Sequence, residues 1–222
     1  MSKTWIQLVA HKPDQDPRVH WIEKFCPKNI SIITIGYDFE NKMLYKQKKA
    51  NKVKANSRND FLANFFFKNE KKLQNLNEIT FNFYLWSETE NITCSDFKKL
   101  NKNEQKITLS KIKDICFFNN IVNHCFEKRK VNGIIASDFT TLFSSCLQGI
   151  KNNCPVIYDS HEFHSEEDHT KSKAYRDFWL SIEKTLVQYT NARFTVSKKL
   201  AQIASKKLNK KFSYLPNAEP VE

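Results

Sequence analysis

The chain has 222 residues, a formal net charge of +12, 40% hydrophobic and 13% aromatic residues, and only three glycines. That much apolar content excludes a disordered chain, and the length fits one large α/β domain or two small ones. The positive charge predicts attraction to polyanions: nucleic acid, anionic lipid or phosphorylated ligands.

The elements are read in chain order. "WIQLVA" (5–10) is an apolar run long enough for a strand. "DPRVHWIEKF" starts a helix, with Asp16 as its cap and Pro17 at the first helical position, where a missing N–H costs nothing. "ISIITIGY" (30–37) is the second strand. The segment 41–58 holds seven basic residues and no acid: Lys42, Lys46, Lys48, Lys49, Lys52, Lys54 and Arg58. It reads as a basic loop, and "NDFLANFFFKNEKKLQNL" (59–76) after it as an amphipathic helix. Phe65, Phe66 and Phe67 either face the core or dip into an anionic membrane surface on which the basic side chains rest.

"ITFNFYLW" (79–86) is a third strand. The long stretch 107–129 carries Ile112, Ile115, Cys116, Val122 and Phe126 at helical spacing. "VNGIIAS" (131–137), "PVIYDS" (155–160), "ARFTVS" (192–197) and "FSYLP" (212–216) are further strands. Helices lie between them at 139–152, 174–190 and 197–208, the last capped by Ser197. Continuous β-branched runs indicate strands covered on both faces. The β-α-β-α order with right-handed crossovers predicts an α/β fold, a Rossmann-like doubly wound parallel sheet with helices on both faces.

None of the six cysteines lies in a CxxC pair, which removes zinc-ribbon and thioredoxin-like readings. Cysteines within "DICFF" and "SSCLQ" read as buried free thiols of a reducing compartment. The N-terminus has no secretory pattern and no window reaches eighteen apolar residues, so a cytoplasmic location is expected.

"YDSHEFHSEEDH" (158–169) concentrates three histidines and five carboxylates. A zincin needs HExxH, and "HEFHS" puts Ser165 where the second histidine belongs. Metal binding by His161, His164 and His169 is a loose fit, and no metal ligand is assigned. His161 stands just past a strand end, where open α/β sheets bind ligands, and suits positioning or proton exchange at a hydroxyl. The alternative is that it hydrogen-bonds a neighbouring loop. The run 166–169 reads as a solvated loop.

The segment "GIIASDFTTLFSSCLQGIKNNCPVIYDSHEF" resembles the N-terminal half of GT-B glycosyltransferases, in particular retaining family four. Asp138, Thr141 and Leu142, then Tyr158 to Glu162, match that run. Upstream, "DPRV" is similar to the start of the family's first helix. Downstream, Glu183, Val196, Ser197 and Leu200 fall on its helix–strand–helix pattern, and "YLPNAEP" resembles the stretch before the chain crosses to a second domain. The resemblance covers most of the chain except about 40–130, where only the order of elements agrees.

The resemblance implies one half of a GT-B fold: residues 1–216 as the acceptor-side domain, with a basic insertion at about 41–76, and 217–222 as the start of a linker to a C-terminal donor domain. It implies retaining, metal-independent sugar transfer from a nucleotide-sugar, which is the donor substrate, with no further cofactor. The acceptor is a glycan or lipid-linked molecule at the cytoplasmic membrane face, with the basic stretch as docking surface. On the family's pattern, His161 and Glu162 take catalytic positions, Asp138, Asp16 and Arg18 meet the acceptor, and Ser197 and Lys12 the donor. Asp16 and Ser197 are also explained by capping alone, and Arg18 by a surface ion pair with Glu23. The donor domain's Glu-rich motif is not within the 222 residues, so the segment alone is expected to transfer no sugar. Two other classes compete: a basic nucleic-acid-binding α/β module, against which stands the lack of any helix-turn-helix, RNP or zinc-finger pattern, and a metal-dependent hydrolase built on 158–169.

Overall fold

A computed structural model describes residues 3–13, 16–38, 43–47, 51–52, 97–126, 130–163 and 171–217. The strands are β1 (Lys3–Val9), β2 (Ile30–Asp38), β3 (Met43–Gln47), β4 (Asn51–Lys52), β5 (Gly133–Ser137), β6 (Val156–Ser160), β7 (Ala192–Thr195) and β8 (Ser213–Tyr214). The helices are α1 (Pro17–Phe25), α2 (Lys102–Phe126), α3 (Phe139–Asn152), α4 (Lys173–Leu186) and α5 (Lys198–Leu208).

The strands form one sheet in the order β4-β3-β2-β1-β5-β6-β7-β8. The six strands from β2 to β8 are all parallel, which makes this a Rossmann-like doubly wound α/β fold. The basic stretch is not simply a loop. Met43–Gln47 pairs antiparallel with β2 and then with Asn51–Lys52, so Lys46 and Lys52 are strand residues. Lys42, Lys48, Lys49, Lys54 and Arg58, the amphipathic segment 59–76 and the expected strand 79–86 lie outside the described residues, as does the cluster 164–169.

The direction of the crossovers decides which face each helix covers. From β1 the chain winds through α1 to β2 on one side. From β5 it winds the opposite way through α3, α4 and α5 to β6, β7 and β8. Right-handed crossovers put those two sets on opposite faces. Period-two alternation agrees. Ile6, Leu8, Ile33, Ile35 and Ile134 pack with Phe117, Phe118, Ile121 and Val122 of α2. Ala136 and Tyr158, on the same face, join Leu142, Trp179, Ile182 and Ala204 from α3, α4 and α5. Trp179, fully buried, meets Phe139 and Phe178 edge-on at 5.6 and 5.5 Å between ring centres.

Helix ends behave as the sequence predicts at α1, where Asp16 accepts from the Arg18 N–H at 2.9 Å, and at α5, where Ser197 accepts from the Leu200 N–H at 3.2 Å. α2 begins earlier than expected, at Lys102. Asn101 caps it through the Glu104 N–H, and Glu104 answers with the Asn101 N–H, a reciprocal box. Its carboxylate also accepts from the N–H and hydroxyl of Ser172, the cap of α4, tying the two helix starts together. Burial raises the Glu104 pKa, but the donors from Ser172 and Asn101 outweigh it, and the group sits below the ordinary value. Of the described cysteines, all free, only Cys146 is fully buried, and burial pushes the Cys116 thiol up to about 12.

Candidate functional site

Between β1 and β5 neighbouring strands send their helices to opposite faces, and loops part over a crevice at the carboxyl ends of the strands. Four loop starts meet there. His11 follows β1, Asp16 starts α1, Asp138 follows β5 and His161 follows β6. The β1–α1 loop can fold down over β2 because Gly36 has no side chain: a Cβ there would lie 2.5 Å from Cγ of Pro13.

His161 is the hub. Its Nδ1 lies 3.6 Å from Oδ2 of both Asp16 and Asp138, and its Nε2 3.4 Å from Oδ2 of Asp159. Its backbone N–H donates to Oδ1 of Asp138 at 3.2 Å. The His11 ring meets the same Asp16 oxygen at 3.2 Å. Burial alone would lower the His161 pKa, but Asp159, Asp138 and Asp16 together raise it above the ordinary value. Burial raises Asp138, and the charge and N–H of His161 only partly offset that. For Asp16 burial also pushes upward, but His11, His161 and the Arg18 N–H bring it below the usual carboxylate value.

Asp138 has φ 68° and ψ 166°, a region that essentially only glycine visits without strain. It precedes α3 yet its side chain makes no cap hydrogen bond. Thr141 steadies that turn instead, its hydroxyl donating to the carbonyl of Ser137 at 2.8 Å. The Asp138 carboxylate is thus turned away from its helix and toward His161.

The sequence-predicted residues divide into three groups. Asp16, Asp138 and His161 come together. Ser197 caps α5 at the same edge of the sheet and is exposed, and Lys12, half-buried, follows His11 in its loop. Arg18 and Glu162 are held differently from these. Arg18 is not a surface cation paired with Glu23. It is 3% exposed, and its fork holds Asp159 bidentately, with Nε to Oδ2 at 3.1 Å. Its Nη1 donates to the Leu215 carbonyl at 2.7 Å and to Asn217 Oδ1 at 2.8 Å, fastening the segment after β8 to α1. Glu23 instead accepts from the Thr34 hydroxyl at 2.7 Å. A guanidinium spent this way is a structural clamp, because burial rewards a planar fork that satisfies a carboxylate. Glu162 is exposed, and the Ser160 hydroxyl donates to its carbonyl.

Sequence reasoning missed two members. His11 stands immediately past β1's expected end, the same placement that singled out His161, so the signal was present. Asp159 reads as a strand residue, and its partner Arg18 is 141 positions away, so no local pattern reveals the pair.

The polar groups most open to solvent in this cluster are the ring of His11 and the carboxylate of Asp138, with side chains 37% and 33% exposed. Both ring nitrogens of His161 face carboxylates, so the imidazole lies behind the solvent-facing edge of the cluster. A pocket of about 210 Å³ is lined by Ala10, Phe139 and Thr140, the chain neighbours of His11 and Asp138, and by Lys111, Asp114 and Trp179. Among the described residues no group of three or more His, Cys, Asp or Glu side chains is placed to hold a metal ion. No protein-family model matches this chain, and no curated protein matches it.

Proposed function

We infer that this chain is the acceptor-binding domain of a GT-B-type glycosyltransferase, with the acceptor docked at the strand ends of β1, β5 and β6. The observation that carries the reading is Asp138: a carboxylate held in a strained backbone at the switch point of a parallel sheet, backed by His161. Strain of this kind persists where the surroundings over-determine it, and it collects at ligand sites. A sugar hydroxyl would donate to the open oxygen of Asp138. His161 on its other side keeps that carboxylate oriented and shares its proton. The pocket lined by Phe139 and Thr140, the residues that follow Asp138, adds the polar groups of Lys111 and Asp114. The resemblance supports the same reading, since the family it points to carries a histidine after this strand, and it assigns the nucleotide-sugar to a facing domain. Lys12 and Ser197, at the same edge, are the groups of this half that would approach the donor. The basic stretch around β3 and β4 would hold the enzyme on an anionic membrane beside a lipid-linked acceptor.

Because the resemblance gives the donor to another domain, the test on these 222 residues is binding. A panel of mono- and oligosaccharides is titrated while the NMR resonances of His11, Asp138 and His161 are followed. Saccharides that bind should shift those residues first, and Asp138→Ala should weaken binding by at least tenfold. Saturable binding that leaves those resonances unmoved, or no binding across the panel, ends this reading.

A further inference from the structure

We propose that the groove between α1 and the sheet takes the hydrocarbon chain of an anionic single-chain lipid. It encloses about 480 Å³, a volume within the range of small-molecule sites. Its floor is Trp5, Ile32, Ile135 and Ile157 from four adjacent strands, and Trp21 and Phe25 of α1 form a wall. It belongs to the face opposite the four-helix core, where α1 is the one helix among the described residues.

Three observations converge on this occupant. The floor is built flat: a Cβ on Gly133 would come within 2.4 Å of the Trp5 ring, so glycine lets the indole lie across the strand beside it. The end toward the carboxyl termini of the strands is neutral: Arg18 and Asp159 line it, but each satisfies the other, and nothing in that pair calls for a polar ligand. The opposite end is basic. Lys24 and Lys28 are exposed beside the lining residues Phe25 and Pro27, and exposed Lys3 shares the Trp5 face and pairs in register with lining Ile30. Among the described residues, Glu23 is engaged with Thr34 and Asp16 with the histidines. An apolar trough with cations at one end fits a chain with a negative head. Apart from the mutually satisfied Arg18–Asp159 pair, its described lining is almost wholly apolar and offers a sugar little to hydrogen-bond. The site shares no residue with the His161 cluster except Asp159, and it does not depend on sugar transfer.

The 222-residue chain is titrated with octyl, decyl and dodecyl phosphate below their micellar concentrations, following fluorescence of the groove tryptophans Trp5 and Trp21. Each added methylene should tighten binding by about fourfold until the groove is full. Dodecyl-trimethylammonium should bind at least tenfold more weakly, and inorganic phosphate should give no response. Phe25→Ser, at an exposed position, and Ile157→Trp, which fills the floor, should each weaken dodecyl phosphate by about tenfold with far-UV dichroism unchanged. Lys24→Glu with Lys28→Glu should erase the headgroup preference and keep the chain-length dependence. Binding that ignores chain length, equal binding of the cationic amphiphile, or full affinity in Phe25→Ser overturns the proposal. So does a dimer in sedimentation that Phe25→Ser disperses, since the groove would then be covered by a second copy.

Discussion

Burial opposes the charge on both Asp138 and His161, and each partly restores the other's charged form. His161 has a folded pKa above its ordinary 6.5. The stability it contributes is therefore complete below about pH 6.5 and is lost as pH rises through the folded value. Asp16 has the opposite sign: its contribution is present above its ordinary 3.8 and disappears as pH falls through the lowered value. Urea unfolding across pH should show a decline above pH 6.5 that flattens in His161→Gln. At Asp138 the backbone can be separated from the carboxylate. Asp138→Gly should be more stable than Asp138→Ala by about 1–3 kcal/mol, because glycine relieves the positive φ, while both lose saccharide binding. The Arg18–Asp159 pair is buried on both sides. Asp159→Asn leaves a guanidinium without its counter-charge and should cost about 3–5 kcal/mol, while the double replacement Arg18→Met with Asp159→Leu should cost less than that single change.

At the level of elements, the helix starts are not equivalent. The Ser197 hydroxyl caps one helix by accepting from the Leu200 N–H, so Ser197→Ala should cost about 1 kcal/mol in urea unfolding. Ser172 caps α4 and at the same time donates twice to Glu104 at the start of α2. Ser172→Ala removes a cap and one donor to a buried carboxylate, so its loss should be roughly twice as large. The spacing of apolar residues located α3 to the residue and α5 within one residue. It missed the first turn of α2, because "NKNEQK" (101–106) is polar and its order comes from the Asn101–Glu104 box, not from burial periodicity.

Across the whole molecule, charge and topology divide the work. No helix among the described residues is long and apolar enough to cross a membrane. The excess of positive charge gives the proposed membrane docking a direct check, flotation with vesicles. Anionic vesicles should carry the protein at low salt, neutral ones should not, and Lys46→Glu with Lys52→Glu should cut the bound fraction at least severalfold; flotation equal on both vesicle types contradicts the docking.

The sequence by itself determined the six parallel strands, the approximate positions of the described helices and the caps at Asp16 and Ser197. These follow from periodicity and local hydrogen bonding, which act over a few residues. It also placed Asp138 and His161 at strand ends, since a strand's polar exit is a local signal. Only the tertiary structure decided that Arg18 is a buried clamp, that Glu162 faces solvent, that His11 and Asp159 complete the cluster and that one sheet face carries an apolar trough. Each depends on partners brought together by strand order, and strand order arises from chain-wide packing that no short window of residues contains.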